Sequence, residues 1–259
     1  MPKILIITDN LPDQINGVVT TYKNIEPFAI RDGYTIDYIH PGRYRHFDCP
    51  KYNEVKLAYP KGLRKEIDTL SPDHIHIATE GPLGLFARRY LTVRGYRYNT
   101  AYHTKFPEGI KKLLGIPETL TWPLIRWFHS NSNAVLTTTK SMVEELQNHN
   151  FGNNLKSWTR GIDRDTFKPA ERNNQATKPI MLNVGRVSSE KNLEAFYNLN
   201  IPGTKIQVGD GPKLEYYRKK YTDVLFVGPK RGEELARFYQ QADVFVFPSK
   251  WDTFGLVQI

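Results

Sequence analysis

The stretch Ile180-Met181-Leu182-Asn183-Val184-Gly185-Arg186-Val187-Ser188-Ser189-Glu190-Lys191 joins an apolar run to a glycine and then to the start of a helix. A short apolar run closed by a glycine is typical of a buried strand in a parallel sheet. Arg186 and Lys191 carry two positive charges into the turn that follows, where they could meet a negatively charged ligand. The segment therefore predicts an α/β unit with a ligand site beyond the end of its strand.

The same alternation of apolar runs and helix-length segments continues along the rest of the chain. The other runs are Lys3–Thr8, Thr35–His40, His74–Thr79, Arg97–Tyr102, Ala134–Thr138, Thr204–Val208, Val224–Val227 and Val244–Phe247. This pattern predicts α/β architecture with two doubly wound, Rossmann-like domains, each a parallel sheet with helices on both faces. An apolar stripe from Val18 to Ala29 predicts a helix that ends near Gly33.

A polar stretch, Pro169–Lys178, interrupts the pattern and indicates a linker. We expect an N-terminal domain over residues 1–168, a linker over 169–178 and a C-terminal domain over 179–259, with a cleft between the two domains. The last domain is shorter than the ~100–150 residues typical of a domain. Because Gly255–Ile259 has the character of the inside of an element, we expect this domain to be truncated.

The composition indicates a globular protein without a membrane span. Hydrophobic residues make up 39% of the 259 residues and charged residues 24%, both ordinary values for globular domains. No apolar run approaches the ~18 residues that a membrane-spanning helix needs. Cys49 is the only cysteine, which excludes an internal disulfide framework and fits a reducing cytosol. We therefore expect a cytoplasmic protein.

The net charge of +9 is partly concentrated in one segment. Between residues 88 and 112, only Glu108 opposes seven basic residues: Arg88, Arg89, Arg94, Arg97, Lys105, Lys111 and Lys112. Such a segment can attract nucleic acid, anionic lipid or a phosphorylated substrate; an ordinary solvated surface is the alternative. Nucleic-acid binding has only the charge in its favour, because no recognition motif accompanies it.

The aromatic and basic stretch Trp122–Phe128 offers a second candidate for contact with a membrane. Aromatic side chains between basic ones can dip into a membrane interface, although packing against the first domain explains them equally well. Pro107, Pro117 and Pro123 predict short pieces here and no long amphipathic helix.

In open parallel sheets, ligands bind beyond the carboxyl ends of the strands. Gly17 comes after the first predicted strand and leads into a helix, where its backbone and the free N–H groups could approach a phosphate. A plain turn also accounts for a glycine there. Glu80 and His103 each follow the end of another predicted strand. We expect both to face the cleft, with a packed histidine as the alternative for His103.

The second half of the chain contains the stronger candidates for ligand-binding residues. Arg186 and Lys191 lie before and at the start of a helix, so they can flank a diphosphate and stabilise its negative charge. Gly209-Asp210-Gly211 follows the next strand but lacks the third glycine of a dinucleotide fingerprint. Asp252 precedes Thr253-Phe254-Gly255-Leu256, where a carboxylate could grip two hydroxyls while nearby N–H groups meet a phosphate or sugar.

Two patterns suggest a metal site and are better explained otherwise. Asp163 and Asp165 form an Asp-x-Asp pattern, but they lie in the segment that leads to the linker. His74 and His76 share one face of a strand, but no third and fourth ligands follow at useful spacing. We therefore predict no metal site. The chain also lacks a P-loop and a serine nucleophile elbow.

Together these segments resemble family 4 retaining glycosyltransferases, most closely the lipid-directed α-mannosyltransferase and sulfoquinovosyltransferase branches. The matching stretches are Asp9-Asn10, Asn16–Val19, His76–Gly84, Tyr102–Pro107, Arg160–Asp163, Val184–Asn192, Val208–Pro212 and Trp251–Ile259. The resemblance covers nearly the whole chain. It implies a GT-B fold of two Rossmann-like domains, transfer from a nucleotide sugar with retention of configuration, and no essential metal or other cofactor.

The resemblance also assigns roles to residues. It places Gly17 near the donor diphosphate and the reacting sugar, and gives the diphosphate to Arg186 and Lys191. The remaining donor-binding positions are Asp210, Gly211, Thr253, Phe254, Gly255 and Leu256. Asp252 takes the place of the first acid of the family's acid–seven residues–Glu motif, where glutamate is usual. The second acid would follow Ile259.

The acceptor side has two candidate residues. We expect His103 to contact the transferred sugar or to orient the acceptor. We expect Glu80 to position the acceptor, with a share in the acceptor proton as the alternative. The resemblance implies that the departing phosphate helps to deprotonate the acceptor, so neither residue need be a dedicated base.

These assignments predict a hexosyltransferase that acts on a lipid or glycolipid at the inner face of the membrane. GDP-mannose is the preferred donor, with UDP-glucose or UDP-sulfoquinovose as alternatives, and diacylglycerol or a glycan are alternative acceptors. The basic segment 88–112 would face an anionic membrane surface, and nucleic acid is not an expected partner. A second hypothesis, suggested by the missing second acid, is a non-catalytic fragment or binding module.

Overall fold

The structure, a computed structural model, describes residues 1–14, 16–49, 52–103, 105–152, 154–171, 178–250, 252 and 254–259, with the backbone alone at 52–55 and 112–114. The chain divides into two compact units, Met1–Arg160 and Gly161–Ile259. The sequence predicts the end of the first domain at residue 168, whereas the second unit begins at Gly161.

Residues just before the predicted linker pack with the second unit. The ring of Phe167 lies against that of Tyr239, with 6.1 Å between the ring centroids. Gln240 Nε2 donates a hydrogen bond of 2.9 Å to the carbonyl oxygen of Lys168. These contacts attach the end of the predicted first domain to the second unit.

The first unit contains a six-stranded parallel sheet and a separate hairpin. Its strands are β1 (Lys3–Ile7), β2 (Thr35–Ile39), β3 (His46–Cys49), β4 (Tyr52–Ala58), β5 (His74–Ile77), β6 (Asn99–Tyr102), β7 (Val135–Thr137) and β8 (Leu155–Ser157). Its helices are α1 (Gly17–Arg31), α2 (Leu63–Leu70), α3 (Pro82–Arg94), α4 (Phe106–Leu114), α5 (Glu118–His129) and α6 (Lys140–Asn148). The sheet order is β2-β1-β5-β6-β7-β8.

Both faces of this sheet are covered, as the sequence predicts. Ile7 of β1 belongs to a buried cluster with Leu83 and Leu91 of α3. Ile6, the preceding residue, packs on the opposite face with Tyr22 of α1. Successive side chains of a strand point to opposite faces, so the continuous apolar run of β1 packs against the helices on both faces of the sheet.

Helix α1 begins and ends as the sequence predicts. The Oδ1 atom of Asn16 accepts hydrogen bonds of 3.0 Å from the backbone N–H groups of Val18 and Val19, which have no partner within the helix. Gly33 adopts a φ of 86° after the last turn, a conformation that glycine takes at no steric cost.

A buried carboxylate fixes the start of α3. Asp9, directly after β1, accepts hydrogen bonds from the backbone N–H groups of Leu83 at 2.8 Å and Gly84 at 3.4 Å, and from Thr79 Oγ1 at 2.8 Å. A side chain at position 81 would collide with the Asp9 carboxylate, and one at position 84 would collide with the carbonyl oxygen of Thr79. The two glycines therefore allow α3 to approach β1 and β5 closely.

The prediction that prolines break the 107–128 stretch is wrong for Pro123, which lies inside α5. A proline in a helix removes one backbone hydrogen bond. Pro123 is on the exposed side, where water can bond the carbonyl group left without a partner. On the opposite side Trp122, Ile125 and Phe128 are buried, and their packing stabilises the continuous helix.

Three strands of the first unit are absent from the predicted set. β3 and β4 pair with each other in an antiparallel hairpin, away from the parallel sheet. β8 has three residues and extends the edge of the sheet beside β7. Their sequences lack the continuous apolar run of a buried parallel strand, because edge strands and hairpins keep one side in solvent.

The second unit contains a smaller parallel sheet. Its strands are β9 (Ile180–Val184), β10 (Thr204–Val208), β11 (Val224–Gly228) and β12 (Val244–Phe245), and its helices are α7 (Glu194–Tyr197), α8 (Leu214–Lys220) and α9 (Gly232–Gln241). The sheet order is β11-β10-β9-β12. β9 lies between β10 and β12, so the turn after β9 has a neighbouring loop on each side. No helix among the described residues has the length and apolar character needed to cross a membrane.

The close approach of α3 to β5 yields a test of stability. Replacing Gly84 with alanine should destabilise the protein by roughly 1–3 kcal/mol, because the new methyl group meets the backbone of Thr79. Urea unfolding followed by tryptophan fluorescence measures the loss.

The matched control is Gly109→Ala in α4, where an added methyl group meets nothing within 4 Å. Alanine there should leave stability unchanged or raise it by up to about 1 kcal/mol, because helical alanine loses less backbone entropy than glycine. Equal effects of the two substitutions would contradict the proposed close approach.

Candidate functional site

The carboxyl edge of the first sheet brings together three of the residues singled out in the sequence. Asp9, Glu80 and His103 follow β1, β5 and β6, which are neighbours in the sheet. All three side chains are buried. The hydrogen bonds of Asp9 show that it holds α3, and burial raises its pKa to about 6. Glu80 and His103 belong to two histidine clusters at the same edge.

The first cluster is a chain of hydrogen bonds through His103. Its Nε2 atom lies 2.9 Å from the hydroxyl oxygen of Tyr22, and its Nδ1 atom lies 2.7 Å from Nη2 of Arg160. The Tyr22 hydroxyl is also 2.7 Å from Nε2 of His76. Both nitrogens of the His103 ring therefore contact side chains of the first unit. The expected contact of His103 with a sugar remains a prediction.

Burial shapes the ionisation of this cluster. Removal from water lowers the pKa of His76 to about 4. It also holds the pKa of His103 well below its ordinary value, and the positive charge of Arg160 lowers that pKa further. Burial raises the pKa of the Tyr22 hydroxyl. All three rings are therefore neutral near pH 7.

The second cluster contains Glu80. Its Oε1 atom lies 3.5 Å from Nε2 of His129, and the Nδ1 atom of that histidine lies 2.8 Å from Thr100 Oγ1. Oε1 is buried without a hydrogen-bond partner among the described residues. A buried carboxylate oxygen that lacks a partner is available to a ligand hydroxyl. This geometry is compatible with the expected role of Glu80.

Gly17 is the first residue of α1. A methyl group added there would meet nothing within 4 Å, so packing within the first unit does not require a glycine at this position. The side chain of the preceding Asn16 occupies two of the N–H groups of the first turn. Gly17 therefore leaves open space beside the start of the helix.

In the second unit, two glycine-containing loops lie directly against each other. The backbone N–H group of Val187 donates to the carbonyl oxygen of Asp210 at 2.9 Å. A side chain at Gly209 would collide with the carbonyl oxygen of Gly185, and one at Gly211 would lie 2.5 Å from the carbonyl oxygen of Val187. These glycines thus join the turns after β9 and β10. The Asp210 side chain is exposed, and its Oδ1 atom accepts from the N–H group of Gly211.

The cations of this turn pair with acidic side chains. Lys191 Nζ donates to Asp252 Oδ1 at 2.6 Å, although the two residues are 61 positions apart. Arg186 Nη1 lies 3.9 Å from Glu190 Oε1. The second carboxylate oxygen of Asp252 is buried and has no hydrogen-bond partner within the described part of the chain.

Asp252 is followed by the last predicted donor-binding residues. Gly255 is buried, with a φ of 71°, and begins a short 3-10 helix over Leu256–Gln258. Phe254 and Leu256 are half-buried. Thr253 lies outside the described residues.

The two suspected metal patterns have structural explanations. Asp163 accepts hydrogen bonds from the N–H group of Asp165 and from Thr166 Oγ1 in its own turn. His76 is packed against Tyr22, and His74 is exposed. Within the described ranges, no three His, Cys, Asp or Glu side chains form a group that could hold a metal ion.

The basic segment 88–112 is not one solvated surface. Arg88 is buried, donates to the carbonyl oxygens of Trp127 and Phe128, and stacks 3.9 Å from the ring centre of Trp127. Its guanidinium group caps the last turn of α5, because carbonyl groups at a helix end lack partners in the helix. Lys105 and Lys111 pair with glutamates, and Arg89, Arg94 and Arg97 are exposed. The side chain of Lys112 lies outside the described residues.

Sequence reasoning missed three residues of the site. Tyr22 belongs to the apolar stripe of α1, Arg160 belongs to a matching motif without an assigned role, and His129 belongs to no motif. A tyrosine within an apolar stripe is a usable signal, because a buried hydroxyl needs a hydrogen-bond partner.

Comparison with known proteins agrees with this architecture. Residues 15–166 match the family described as Glycosyltransferase Family 4, and residues 164–259 match the one described as Glycosyl transferases group 1. The chain is similar in structure to a sucrose-phosphate synthase of Thermosynechococcus elongatus, with a TM-score of 0.75, 18% identity, and coverage of 99% of this chain and 78% of the other.

Three curated relatives extend the comparison. A sulfoquinovosyl transferase, SQD2 of Arabidopsis thaliana, is 31% identical across 82% of this chain, which spans 46% of that protein. A GDP-mannose-dependent alpha-mannosyltransferase of Corynebacterium glutamicum is 27% identical, with 97% of this chain and 68% of the relative covered. An alpha-monoglucosyldiacylglycerol synthase of Streptococcus pneumoniae is 22% identical, with 99% and 68% covered.

The two Rossmann-like α/β units define the GT-B class of fold. The chain belongs to glycosyltransferase family 4.

The buried histidines of the first unit predict a loss of stability in acid. The pKa of His76 is about 4 in the folded chain, against 6.5 for an ordinary histidine, so the unfolded chain binds the proton first as the pH falls. This stability is present above about pH 6.5 and is lost towards about pH 4. Between about pH 7 and about pH 5, the loss due to His76 should be roughly 2 kcal/mol.

His76→Gln should remove that part of the pH dependence, measured by urea unfolding at several pH values. Asp9 acts in the opposite direction, because its raised pKa stabilises the folded chain in acid, but its effect is common to both proteins. His74→Gln is the control, since this ring on the same strand is exposed. A wild-type pH slope in His76→Gln would contradict the burial of a neutral ring.

Proposed function

We propose that the protein is a retaining glycosyltransferase that transfers a hexose from a nucleotide sugar to a lipid or glycolipid acceptor. The observation that carries this proposal is the hydrogen-bonded ion pair of Lys191 and Asp252. It joins the residue proposed to hold the diphosphate to the residue proposed to hold the sugar, at the carboxyl ends of β9 and β12. A donor diphosphate and its sugar lie next to each other, so their binding groups must do so as well.

Lys191 and Arg186 would supply the charge stabilisation of the reaction. As the bond between the sugar and the diphosphate breaks, negative charge grows on the leaving phosphate, and nearby cations lower the energy of that state. Both side chains are already held by carboxylates of the second unit, so they are positioned before the ligand arrives. A phosphate would then share or replace the carboxylate partner of Lys191.

The joined loops after β9 and β10 would form the floor of the diphosphate site. Gly185 has open space at its Cβ position, unlike Gly209 and Gly211, whose Cβ positions face backbone atoms. Backbone N–H groups in such loops can approach phosphate oxygens without a side chain in between. The buried second oxygen of Asp252 is our candidate for a hydroxyl of the donor sugar.

In the first unit, we propose that Glu80 binds the acceptor. We propose that the donor comes close to the backbone at Gly17. The Oε1 atom of Glu80 can accept a hydrogen bond from a second hydroxyl of the acceptor and so position it, while the attacking hydroxyl keeps its hydrogen for the departing phosphate. In the proposed transfer the acceptor oxygen bonds to the sugar carbon, the bond from that carbon to the phosphate oxygen breaks, and the acceptor proton goes to the departing phosphate. No step of this transfer requires a metal ion.

An exposed surface of α3 and α5, which we call the apolar–basic surface, supports a membrane location for the acceptor. It consists of Phe86, Arg89, Val93, Leu124 and Trp127, all exposed. The α3 members are three and four positions apart, so they share one face of the helix. Apolar and basic side chains on one face suit the interface of an anionic membrane. We infer that this surface meets the membrane that contains the acceptor.

GDP-mannose is our first choice of donor, supported by the likeness to the mannosyltransferase of Corynebacterium glutamicum. The likeness to the sulfoquinovosyl transferase and to the glucosyldiacylglycerol synthase supports a UDP-sugar as the alternative. Both choices use the same diphosphate site and differ only in the groups that contact the base and the sugar.

The diphosphate site can be tested by calorimetric titration with GDP and UDP. Lys191→Met should weaken nucleotide binding by about tenfold or more, because a charge-assisted hydrogen bond to phosphate is lost. Arg186→Met should have an effect of the same order.

Two controls separate this loss from a general change of charge. Lys219→Met removes an exposed lysine of α8 in the same unit and should bind nucleotide as the wild type does. Asp252→Asn keeps the lysine but removes its anionic partner, so it should bind free nucleotide at least as tightly. Unchanged binding in both Lys191→Met and Arg186→Met would end the diphosphate assignment.

A screen of donors tests the function itself. GDP-mannose, UDP-glucose and UDP-sulfoquinovose are each offered with glycolipid or diacylglycerol in vesicles, and products are identified by mass spectrometry. We expect transfer from GDP-mannose, faster with anionic than with zwitterionic vesicles, and undiminished by EDTA. Transfer from a UDP-sugar alone would replace the mannose assignment. Nucleotide binding without transfer to any acceptor would favour the binding-module hypothesis.

A further inference from the structure

His103 is held from both sides by groups whose hydrogen-bonding capacity is unequal. Nδ1 faces the Arg160 guanidinium at 2.7 Å, and Nε2 faces the Tyr22 hydroxyl at 2.9 Å. A guanidinium group has only donors, whereas a hydroxyl group can both donate and accept. The arginine therefore determines the direction of the whole chain of hydrogen bonds.

Because Arg160 donates, Nδ1 of His103 accepts. The neutral ring then carries its proton on Nε2 and donates it to the Tyr22 oxygen. The Tyr22 hydroxyl hydrogen is left to donate to Nε2 of His76, 2.7 Å away, so His76 carries its own proton on Nδ1. With neutral rings, this arrangement satisfies every hydrogen bond of the chain and also uses the hydroxyl hydrogen of Tyr22.

Arg160 is also tied to the start of α1. Its Nη1 atom donates to Thr21 Oγ1, which in turn donates to the carbonyl oxygen of Gly17 at 2.6 Å. Arg160 is the last residue of the first unit. One side chain at the exit of this unit therefore contacts both His103 and the first turn of the helix that begins at Gly17.

We propose that Arg160 is a positioning residue that fixes His103 as a neutral ring with its proton on Nε2, so that His103 neither gives nor takes a proton during sugar transfer. The inert role of His103 during sugar transfer rests on the function proposed above, whereas the protonation state of its ring does not. His103 then is a polar side chain of the site with a fixed orientation and a fixed pattern of hydrogen bonds.

The charged and titratable groups around the His103 ring favour its neutral form. The titratable and charged groups that face His103 are Arg160, His76 of β5, His129 of α5 and Tyr22 of α1. Arg160 carries a positive charge, and charge on either histidine would also oppose a proton on His103. Among these four groups there is no carboxylate to stabilise an imidazolium, and burial opposes that charge as well.

The state of the ring can be observed directly in the protein labelled with 15N at its seven histidines. Two-bond nitrogen–proton NMR spectra distinguish protonated from unprotonated ring nitrogens, and His103→Gln assigns the signals. We expect an unprotonated Nδ1 and a protonated Nε2 that persist from about pH 7.5 to about pH 5.5. A proton on Nδ1, or an imidazolium in this range, would overturn the proposal.

Variants then test the part played by Arg160. Arg160→Met should let the ring exchange between tautomers and take up a proton at higher pH than in the wild type, whereas Arg160→Lys should retain the Nδ1 acceptor. Arg164→Met, four positions along the chain and exposed, is the matched control and should give the wild-type spectrum. A wild-type His103 spectrum in Arg160→Met would overturn the positioning role.

The activity of the protein gives a second readout. The rate of Arg160→Met relative to wild type should fall by about tenfold from pH 8 to pH 5.5, as His103 becomes charged, while the relative rate of Arg164→Met stays constant. A constant ratio for Arg160→Met would contradict the need for a neutral ring. Because the spectra need no substrate, absence of any sugar transfer would overturn the proposed function and leave the tautomer result standing.

Discussion

The carboxylate of Asp9 accepts hydrogen bonds from the backbone N–H groups at the start of α3. The arrangement of the candidate site in the first unit depends on this interaction. It holds the segment after β5 in place, and that segment includes Glu80. The carboxylate is buried, so the N–H groups and the Thr79 hydroxyl replace the water it has lost. Gly81 and Gly84 leave room for the contact. The carboxylate of Asp9, which has a structural role, thus positions that of Glu80, which is a candidate functional group.

Burial also determines what the neighbouring histidines can do. His76 and His103 lie where burial opposes an imidazolium, and the positive charge of Arg160 opposes one on His103 further. They are therefore hydrogen-bonding groups with defined tautomers. His129, by contrast, lies 3.5 Å from the carboxylate of Glu80. Histidines at one edge of the sheet thus face neighbours of different charge.

The second unit depends on a different constraint, the close contact of two backbone turns. Gly209 and Gly211 allow the turn after β10 to lie against Gly185 and Val187. This contact presents the cations of the β9 turn beside the segment of Asp252. The ion pair of Lys191 and Asp252 is only half-buried, so its net contribution to stability is small. A ligand phosphate can therefore compete for the lysine at little cost in folding energy.

Local sequence accounts for much of the architecture. The apolar run Ile180–Val184 predicts a strand with correct bounds, because a parallel strand inside a sheet is buried on both faces. The bounds of Thr204–Val208 are also correct, although Lys205 and Gln207 give this strand a buried polar side. The hairpin of β3 and β4 lacks this signal, since its strands pair only with each other. The helix break predicted at Pro123 is wrong, because the packing of Trp122 and Phe128 outweighs the loss of one hydrogen bond.

The sequence by itself determined the family resemblance, the alternation of strands and helices, and the glycines, cations and acids at the strand ends. These features are local, since strand length and turn chemistry depend on neighbouring residues. Only the tertiary structure decided that Arg88 caps α5, that Asp9 supports α3, and that Arg160 and Tyr22 enclose His103. These contacts join residues 39 to 81 positions apart. Spacing along a chain does not specify them, because each arises only when packed layers remove water from a polar group.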